Sequence, residues 1–393
     1  MFHSLPAILI GGPPHTGKSV LTYSLTQALR KRSIDHYVIR ACPDGEGDWS
    51  QEIDSEAMRM LRVKGHWKPE FVSSVCYALE HRQFPLLVDV GGRPTEWQMS
   101  IMHHCTHSLL LLHPEDENST QFWLQLVKDN SLLPLARICS VLDGVSVVTS
   151  RFPVIEGTLS GLARHTLVQG SLFDVLVERI HILFTAYSAQ ELRQEHFAKA
   201  PGEVINLNTI LQTLAPHSER WEPWMIQRLL PMLPAQTPLA IYGRGTNWLY
   251  GALVDAPFPQ HFYQFDPRLG WVTPPRLTIG AAEEQTVSLA LWEDSVATVL
   301  SVHLVDDYLD YAAADKLAFP TFSVEKGIIL NGKLPHWLVT ALVHLYNTIV
   351  GVSWVACYSP QLESAVVVAS RVATHPPGDL VPLPLYRGDI EGV

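Results

Sequence analysis

The sequence predicts an α/β protein in which a doubly wound parallel sheet, built around a phosphate-binding loop (P-loop), is followed by a smaller, duplicated α+β domain. Three observations predict this fold class. Short apolar runs alternate with helical patterns over residues 1–200, a glycine-rich turn follows the first apolar run, and two segments that begin at Gly243 and Gly332 resemble each other. Alternating strands and helices form a parallel sheet covered by helices, so the first part is expected to be one domain.

Length and composition limit the classes of function. The chain has 393 residues, of which 47% are hydrophobic and 17% charged, which is too long for one core. The net charge is −11 and no stretch is dense in Lys or Arg, which argues against binding of duplex nucleic acid. The five cysteines are scattered and no apolar run reaches 18 residues. We therefore expect a cytoplasmic protein without a membrane partner.

Each element of the first domain is predicted from its pattern. The run AILIGG is apolar and ends in glycine, as a buried strand that enters a turn does. The stretch GKSVLTYSLTQALRKRS has apolar residues at helical spacing and basic residues at its end, where the helix dipole favours them. Further strands are predicted in HYVIRAC, FPLLVDVGG, HSLLLLH and ICSVLDGVSVV, and helices over residues 50–63, 69–81 and 117–130 and in SLFDVLVERIHILF.

The turn after the first strand matches a phosphate-binding loop. Eight consecutive residues fit the pattern G-x-x-x-x-G-K-[ST] at every fixed position: Gly12, Pro13, Pro14, His15, Thr16, Gly17, Lys18 and Ser19. The glycines let backbone N–H groups turn towards an anion, and the following helix points its positive dipole end at that anion. Lys18 is expected to reach the β- and γ-phosphates and Ser19 to bind Mg²⁺. The predicted cofactors are ATP and Mg²⁺.

A carboxylate that completes the magnesium site is expected at the end of FPLLVDVGG. Asp89 ends this apolar strand, and an aspartate at this place in P-loop proteins holds Mg²⁺ directly or through water. The alternative is a turn residue before two glycines. Gly91 and Gly92 would let the backbone approach the γ-phosphate. Arg93 either reaches the phosphates or is a solvated loop residue.

An acidic loop follows the second predicted strand. In CPDGEGDW, Asp44, Glu46 and Asp48 alternate with glycines at the carboxyl end of a strand, where open α/β sheets bind their ligands. We predict that one of them acts as a general base for an acceptor hydroxyl or as a ligand of Mg²⁺. The alternative is an acidic surface turn.

An internal repeat marks the second half. GRGTNWLYGALVDA, from Gly243, and GKLPHWLVTALVHL, from Gly332, align without gaps, and FDPRL matches YSPQL after four extra residues. Duplication is the prediction, and two amphipathic helices that agree by chance are the alternative. QTVSLALWEDSVATVLSVHL predicts a β-hairpin. The predicted domains are the P-loop domain 1–200, a helical linker 201–237, a first, partial repeat 238–282 and a second repeat 283–393.

The second repeat resembles the ring-nuclease family of type III CRISPR systems. The segments that carry the resemblance are KGIILNGKLPHWLVTALVHLY and WVACYSPQLESAVVVASR, within residues 319–371. Members of that family bind and cleave cyclic tetra-adenylate, and they are also found fused to AAA-type P-loop NTPase modules, which the first domain resembles. The resemblance implies a cyclic oligoadenylate or a related nucleotide as a partner, and a homo-oligomer.

The repeats differ from the family motif at the residues that carry its chemistry. The second repeat keeps Lys333 and His344, but Asn347 stands at the position of the catalytic histidine, and Ser359 and Gln361 replace an aspartate and an arginine. The first repeat keeps seven residues of the motif: Gly243, Arg244, Gly245, Asp266, Pro267, Arg268 and Gly270. The ligand-binding residues that the resemblance implies are therefore Arg244, Asp266, Arg268, Lys333, His344 and Asn347. A guanidinium such as that of Arg268 can bind a phosphate with two hydrogen bonds, and Asp266 can orient it; a structural Asp–Arg turn is the alternative.

Three hypotheses follow. In the leading one, an ATPase or phosphotransferase domain with Lys18, Asp89, Asp44 and Glu46 in catalytic roles is coupled to a ring-nuclease-like domain that binds its ligand without cleaving it. In the second, the chain is an active ring nuclease that cleaves cyclic tetra-adenylate. In the third, it is a small-molecule or nucleoside kinase with a C-terminal oligomerisation domain.

Overall fold

The computed structural model describes residues 5–41, 69–92, 94, 96–163, 166–218, 220–280, 286–305 and 309–383. It shows a mixed α/β protein with parallel sheets and several helices. The chain divides into two units, Met1–His196 with Pro267–Leu269 and Phe197–Asp266 with Gly270–Val393. Within the described ranges, no helix combines the length and the apolar character that crossing a membrane requires.

The first unit is built on a largely parallel sheet. Its described strands are β1 (Ala7–Gly11), β2 (Tyr37–Ala41), β3 (Leu86–Val90), β4 (His107–Leu112), β5 (Leu133–Val141), β6 (Val147–Ser150) and β7 (Ile155–Ser160). They lie in the order β2-β3-β1-β4-β5-β7-β6, and β6, which runs antiparallel to β7, is an edge strand. Strand β1 therefore lies at the centre, between β3 and β4, to which it is parallel.

Helices cover both faces of this sheet. The described helices are α1 (Lys18–Lys31), α2 (Pro69–Glu80), α3 (Glu96–His103), α4 (Glu117–Asp129), α5 (Ser171–Thr185) and α6 (Ala189–Ala198), the last of which crosses the unit boundary. Leu21 of α1 and Leu172 of α5 share one buried cluster with Ile10 of β1. The next residue, Gly11, faces the other side of the sheet, where Trp123 of α4 lies against it. The central strand is thus buried on both faces, which explains its continuous apolar run.

The second unit contains two larger sheets and one pair of short strands. Its described strands and helices are β8 (Glu203–Asn206), α7 (Leu207–Leu214), α8 (Met225–Leu229), β9 (Leu239–Tyr242), α9 (Asn247–Leu253), β10 (Phe262–Asp266), β11 (Gly270–Val272), β12 (Thr278–Ile279), β13 (Val287–Glu293), β14 (Ala297–Leu304), β15 (Ala318–Phe319), β16 (Gly327–Asn331), α10 (His336–His344), β17 (Trp354–Ser359), β18 (Ser364–Ser370) and β19 (Leu380–Val381). The strand orders are β11-β10-β9-β8 and β13-β14-β16-β17-β18-β19, and β12 pairs with β15.

The two larger sheets of this unit contain the same arrangement of four strands. Strands β8, β9 and β10 are parallel neighbours and β11 is antiparallel to β10. Strands β14, β16 and β17 are likewise parallel neighbours, and β18 is antiparallel to β17. A helix follows the second strand of each set, α9 after β9 and α10 after β16. Gln264 pairs with Ile241 and Cys357 pairs with Leu330, and Ile241 and Leu330 correspond to each other in the sequence repeat. These registers align Asp266 with Ser359, the same alignment that FDPRL and YSPQL give in the sequence.

Most predicted elements of the described residues are confirmed, and the differences include the short strands β7 and β8 and the helix α6, which the patterns did not predict. The helix predicted over 69–81 is α2, and the predicted hairpin is formed by the antiparallel strands β13 and β14. The segment 201–237, predicted as a helical linker, contains α7 and α8 but also β8, which pairs with β9 as the edge strand of a sheet. A strand of four residues is too short to show a period. The helix predicted over 50–63 lies outside the described residues.

Candidate functional site

The loop between β1 and α1 requires glycine at two positions. Gly12 has a φ of 140° and Gly17 a φ of 81°, which side-chain-bearing residues rarely adopt. A Cβ atom on Gly12 would lie 1.9 Å from the carbonyl oxygen of Leu111 in β4, and one on Gly17 would lie 2.5 Å from Cβ of Leu162. The loop can therefore pass close to β4 and enter α1 directly only because these two residues have no side chain.

Lys18, the first residue of α1, holds its ammonium group within this loop. Its side chain is buried, and Nζ donates hydrogen bonds to the carbonyl oxygens of Gly12, at 2.9 Å, and Pro13, at 2.6 Å. Thr16 is also buried and donates to the carbonyl oxygen of Pro13 at 3.0 Å. A buried cation is stable only where oxygen atoms surround it, and phosphate oxygens provide the same kind of partner with a full opposite charge.

Ser19 and Asp89 lie together beside the loop. The Ser19 hydroxyl donates a hydrogen bond to Oδ2 of Asp89 at 2.9 Å. Asp89 is 3% exposed and lies in β3, which pairs directly with β1 and places Asp89 beside Ile10. The contact thus follows from strand order, since a strand between β1 and β3 would separate the two side chains. A hydroxyl and a carboxylate are oxygen ligands of the kind that Mg²⁺ prefers.

The glycines after Asp89 bring the end of β3 against the loop. A Cβ atom on Gly92 would lie 2.6 Å from Cγ and 2.7 Å from Cα of Pro14. Gly91 precedes it in the same connection. The structure shows that the backbone of Gly92 approaches Pro14 of the loop; the approach to a γ-phosphate that the sequence predicted stays a prediction. Arg93, Asp44 and Glu46 lie outside the described residues.

The amino terminus of α1 completes an environment suited to an anion. No side chain caps this end of the 14-residue helix, and its first turn has no acidic residue. Backbone N–H groups and the positive end of the helix dipole are therefore directed towards the loop. Together with Lys18, Ser19 and Asp89, these features fit ATP and Mg²⁺. No cluster of three or more His, Cys, Asp or Glu side chains lies in the described ranges, so a metal here would take further ligands from phosphate and water.

In the second unit, hydrogen bonds fix the loop that contains Arg244. The Arg244 backbone N–H donates to Oδ1 of Asn208 at 3.2 Å, and its carbonyl oxygen accepts from Nε1 of Trp221 at 3.2 Å. The Tyr250 hydroxyl donates to the carbonyl oxygen of Gly243 at 2.7 Å. Burial raises the pKa of Tyr250, and the charge of Asp266 raises it further. Tyr250 of α9 therefore holds this loop through the carbonyl oxygen of Gly243.

The predicted phosphate-binding turn follows Asp266. Asp266 pairs with Gly270 across the antiparallel strands β10 and β11, and the division of the chain assigns Pro267–Leu269, which includes Arg268, to the first unit. In the corresponding turn after β17, two side chains of the turn bond to each other: the Ser359 hydroxyl donates a hydrogen bond to Oε1 of Gln361 at 3.1 Å. Lys333 directly follows Gly332, in the loop that corresponds to the Arg244 loop.

His344 and Asn347 both contact a carboxylate that sequence reasoning missed. Nδ1 of His344 lies 2.6 Å from Oδ1 of Asp255, and Nδ2 of Asn347 donates to Oδ2 of Asp255 at 2.6 Å. Burial raises the pKa of Asp255, but the hydrogen bonds from His344 and Asn347 outweigh burial and hold this pKa below its usual value. The final turn of this helical segment, Leu345–Val350, is a π-helix, which is wider than an α-helix.

The signal that could have identified Asp255 was present in the repeat. In the alignment without gaps, Asp255 of the first repeat corresponds to His344 of the second, 89 residues later. A carboxylate and an imidazole at matching positions of two copies are a natural ion pair if the copies contact each other about a two-fold axis. An aspartate at this position is not part of the family motif, so the resemblance does not point to Asp255.

Part of the chain matches a family of known proteins. Residues 302–382 match the model of a family described as CRISPR-associated protein (Cas_csx3). This range begins in β14 and ends just after β19, so it lies within the second predicted repeat and includes His344 and Asn347. The match confirms that this part of the chain is similar to a CRISPR-associated protein. No curated protein matches the chain.

Proposed function

We propose that the first unit binds ATP with Mg²⁺ at the Gly12–Ser19 loop and hydrolyses or transfers the γ-phosphate. The hydrogen bond of 2.9 Å between Ser19 and Asp89 supports the proposal most strongly. It joins the two expected magnesium ligands, which are 70 residues apart in sequence, at the end of the helix that carries Lys18. A chance match to the loop pattern would not bring a buried carboxylate to the serine.

The chemical roles follow from these positions. Lys18 would exchange the carbonyl oxygens of Gly12 and Pro13 for phosphate oxygens, and its charge would stabilise the γ-phosphate during transfer. Ser19 and Asp89 would hold Mg²⁺, which neutralises charge that develops on the phosphates. The backbone N–H groups at the start of α1 would orient the phosphate chain.

For the second unit we propose binding of a cyclic oligoadenylate or a related nucleotide in type III CRISPR signalling, without cleavage. The support is the similarity of residues 302–382 to a CRISPR-associated family. The charges retained in the first repeat, on Arg244, Asp266 and Arg268, suit a phosphate-bearing ligand. Asn347 stands where the ring-nuclease family, which the sequence resembles, has its catalytic histidine. An asparagine cannot accept a proton at neutral pH, and the side-chain amide of Asn347 donates a hydrogen bond to Asp255. The proposed role is therefore binding.

We also propose that the second unit is a tandem duplication. The support is the common order and direction of β8-β9-β10-β11 and β14-β16-β17-β18. In addition, the pairing of β10 with β9 and of β17 with β16 aligns Asp266 with Ser359 as the sequence repeat does. On this proposal the first repeat starts at β8 and includes the segment that the sequence predicted as a linker.

Incubation of the full chain with separate ligands tests these proposals against their rivals. We expect ATP with Mg²⁺ to raise the melting temperature, cyclic tetra-adenylate to raise it independently, and the cyclic ligand to be recovered intact. A linear product formed without ATP would instead identify a ring nuclease. ATP consumption that depends on a small acceptor and is indifferent to cyclic tetra-adenylate would identify a kinase.

A further inference from the structure

Residues at matching positions of the two repeats contact each other. Oδ1 of Asn247 lies 2.5 Å from Nδ1 of His336, and Oδ1 of Asp255 lies 2.6 Å from Nδ1 of His344; both pairs are 89 residues apart. When two similar units pair about a two-fold axis, residues near the axis contact their own counterparts. Because such contacts occur at the start of α9 and α10 and again near their ends, the axis runs along the two helices, which lie side by side in the same direction.

Contacts away from this axis are reciprocal. Gly251 of α9 lies against Cys357 of β17, whose Sγ would be 3.4 Å from a Cβ atom on the glycine. The counterparts of these two residues, Thr340 of α10 and Gln264 of β10, also contact each other, and the Thr340 hydroxyl donates to Oε1 of Gln264 at 3.2 Å. Reciprocal contacts of this kind define an isologous interface. We call the contact surface of α9 and α10 with the opposing repeat the repeat interface.

The residues that meet at this interface are unlike, although their positions match. Asp255 faces His344, so an acid faces a base. Thr340 and Gln264 are both buried and bonded to each other, whereas their counterparts Gly251 and Cys357 form a close contact. A homodimer of one repeat cannot have this arrangement, because symmetry would place the same residue on both sides of the axis.

Pairing of like repeats would lose each of these interactions. Two copies of the first repeat would bring Asp255 against Asp255 and leave the buried amide of Gln264 opposite a glycine. Two copies of the second would bring His344 against His344 and place the Thr340 hydroxyl opposite a thiol. Like charges at close distance and buried polar groups without partners both disfavour association.

We propose that the repeat interface is specific for the unlike repeat of this chain, so that the second unit closes on itself and identical repeats of two chains do not pair through this surface. The proposal rests on the duplication proposed above. It does not depend on the nucleotide site of the first unit, and ATP binding is therefore measured in each variant to separate the two.

The first test swaps the two residues of the Asp255–His344 ion pair. In the full chain, Asp255→His is expected to lower the melting temperature of the second unit by roughly 4–10 °C, because two imidazoles then face each other and Asn347 loses its acceptor. His344→Asp is expected to have a similar effect. The double variant D255H/H344D is expected to recover at least half of the loss, since the pair is rebuilt across the axis. Glu325→His, at an exposed carboxylate of the same unit, is the control.

The buried pair gives a second test that does not depend on charge. Thr340→Val removes the donor to Gln264, and Gln264→Leu removes the acceptor, so each single variant is expected to increase hydrogen exchange of the α9 and α10 amides several-fold. In the double variant, the increase in amide hydrogen exchange is expected to be smaller than the sum of the increases in the two single variants, because both substitutions remove the same hydrogen bond. The proposal would be overturned if the effects of the two substitutions were additive in both the Asp255–His344 and the Thr340–Gln264 pair. It would also be overturned if the single variants left the melting temperature and the hydrogen exchange unchanged. Formation of stable dimers through α9 and α10 by the parent chain would also overturn it.

Discussion

Lys18 is the residue on which the nucleotide affinity of the first unit is expected to depend most. Its ammonium group is buried within the loop and bonded to two of the loop's carbonyl oxygens. Lys18→Ala is expected to weaken ATP binding by about 2–5 kcal/mol, which is at least about thirtyfold in affinity, because a phosphate loses its buried positive partner. Isothermal titration measures the effect. Lys31→Ala, an exposed lysine at the other end of α1, is the matched control, and equal affinities of the two variants would refute the assignment.

Asp89 is expected to act on turnover through Mg²⁺. Asp89→Asn keeps a hydrogen-bond acceptor for Ser19 but removes the charge, so nucleotide affinity is expected to change little while ATP turnover falls at least tenfold. The magnesium concentration needed for half-maximal turnover is expected to rise. Asp129→Asn, at an exposed carboxylate, is the control. If Asp89→Asn and the parent have identical turnover across the magnesium titration, Asp89 is only a turn residue.

At the level of elements, the connection after β3 supports the shape of the loop. Gly92→Ala would place a methyl group 2.6–2.7 Å from three atoms of Pro14, two of which belong to the backbone, so the loop must shift. We expect a loss of ATP affinity of roughly tenfold with little change in the melting temperature of the protein without ligand. Gly280→Ala, whose new methyl group would meet one atom at 3.6 Å, is the control. Unchanged affinity in Gly92→Ala would show that the Pro14 contact does not shape the site.

The turns after β10 and β17 are expected to have different functions. The first turn keeps Arg268, whereas the second has Gln361, whose side chain accepts from Ser359. Arg268→Ala is expected to abolish binding of cyclic tetra-adenylate and Gln361→Ala to change it little, because only the arginine offers a phosphate two charged donors. Titration of both variants with cyclic tetra-adenylate measures the two affinities. If Arg268→Ala binds the ligand as tightly as the parent chain does, the turn has a structural role only.

Sequence patterns predicted the elements that are long or continuously apolar, and they failed for the short ones. Strand β1, helix α1 and strand β3 were predicted because a central strand is apolar on both faces and α1 has an apolar face. The edge strand β8 has four residues and was missed. Strand β7 alternates buried and half-exposed residues and contains a glycine, Gly157, so its apolar signal is weak.

The P-loop residues were identified from sequence because their positions relative to one another are local. The contact between Ser19 and Asp89 was an expectation that depended on strand order, and no sequence pattern states that β3 lies beside β1. Asp255 was missed for a similar reason, since its importance arises from contact with the second repeat. Residue types were thus predictable, and their partners across the fold required the structure.

At the scale of the whole molecule, the central claim is that ATP with Mg²⁺ binds the first unit at the Gly12–Ser19 loop. Hydrogen exchange of the full chain, with and without saturating ATP and Mg²⁺, tests it most directly, because it locates binding without requiring turnover. We expect protection of the amides of residues 12–20 and of the end of β3 in the parent chain, and no such protection in Lys18→Ala. Cyclic tetra-adenylate is expected to leave these amides unchanged. Identical exchange of residues 12–20 with and without ATP in the folded parent chain would contradict the claim.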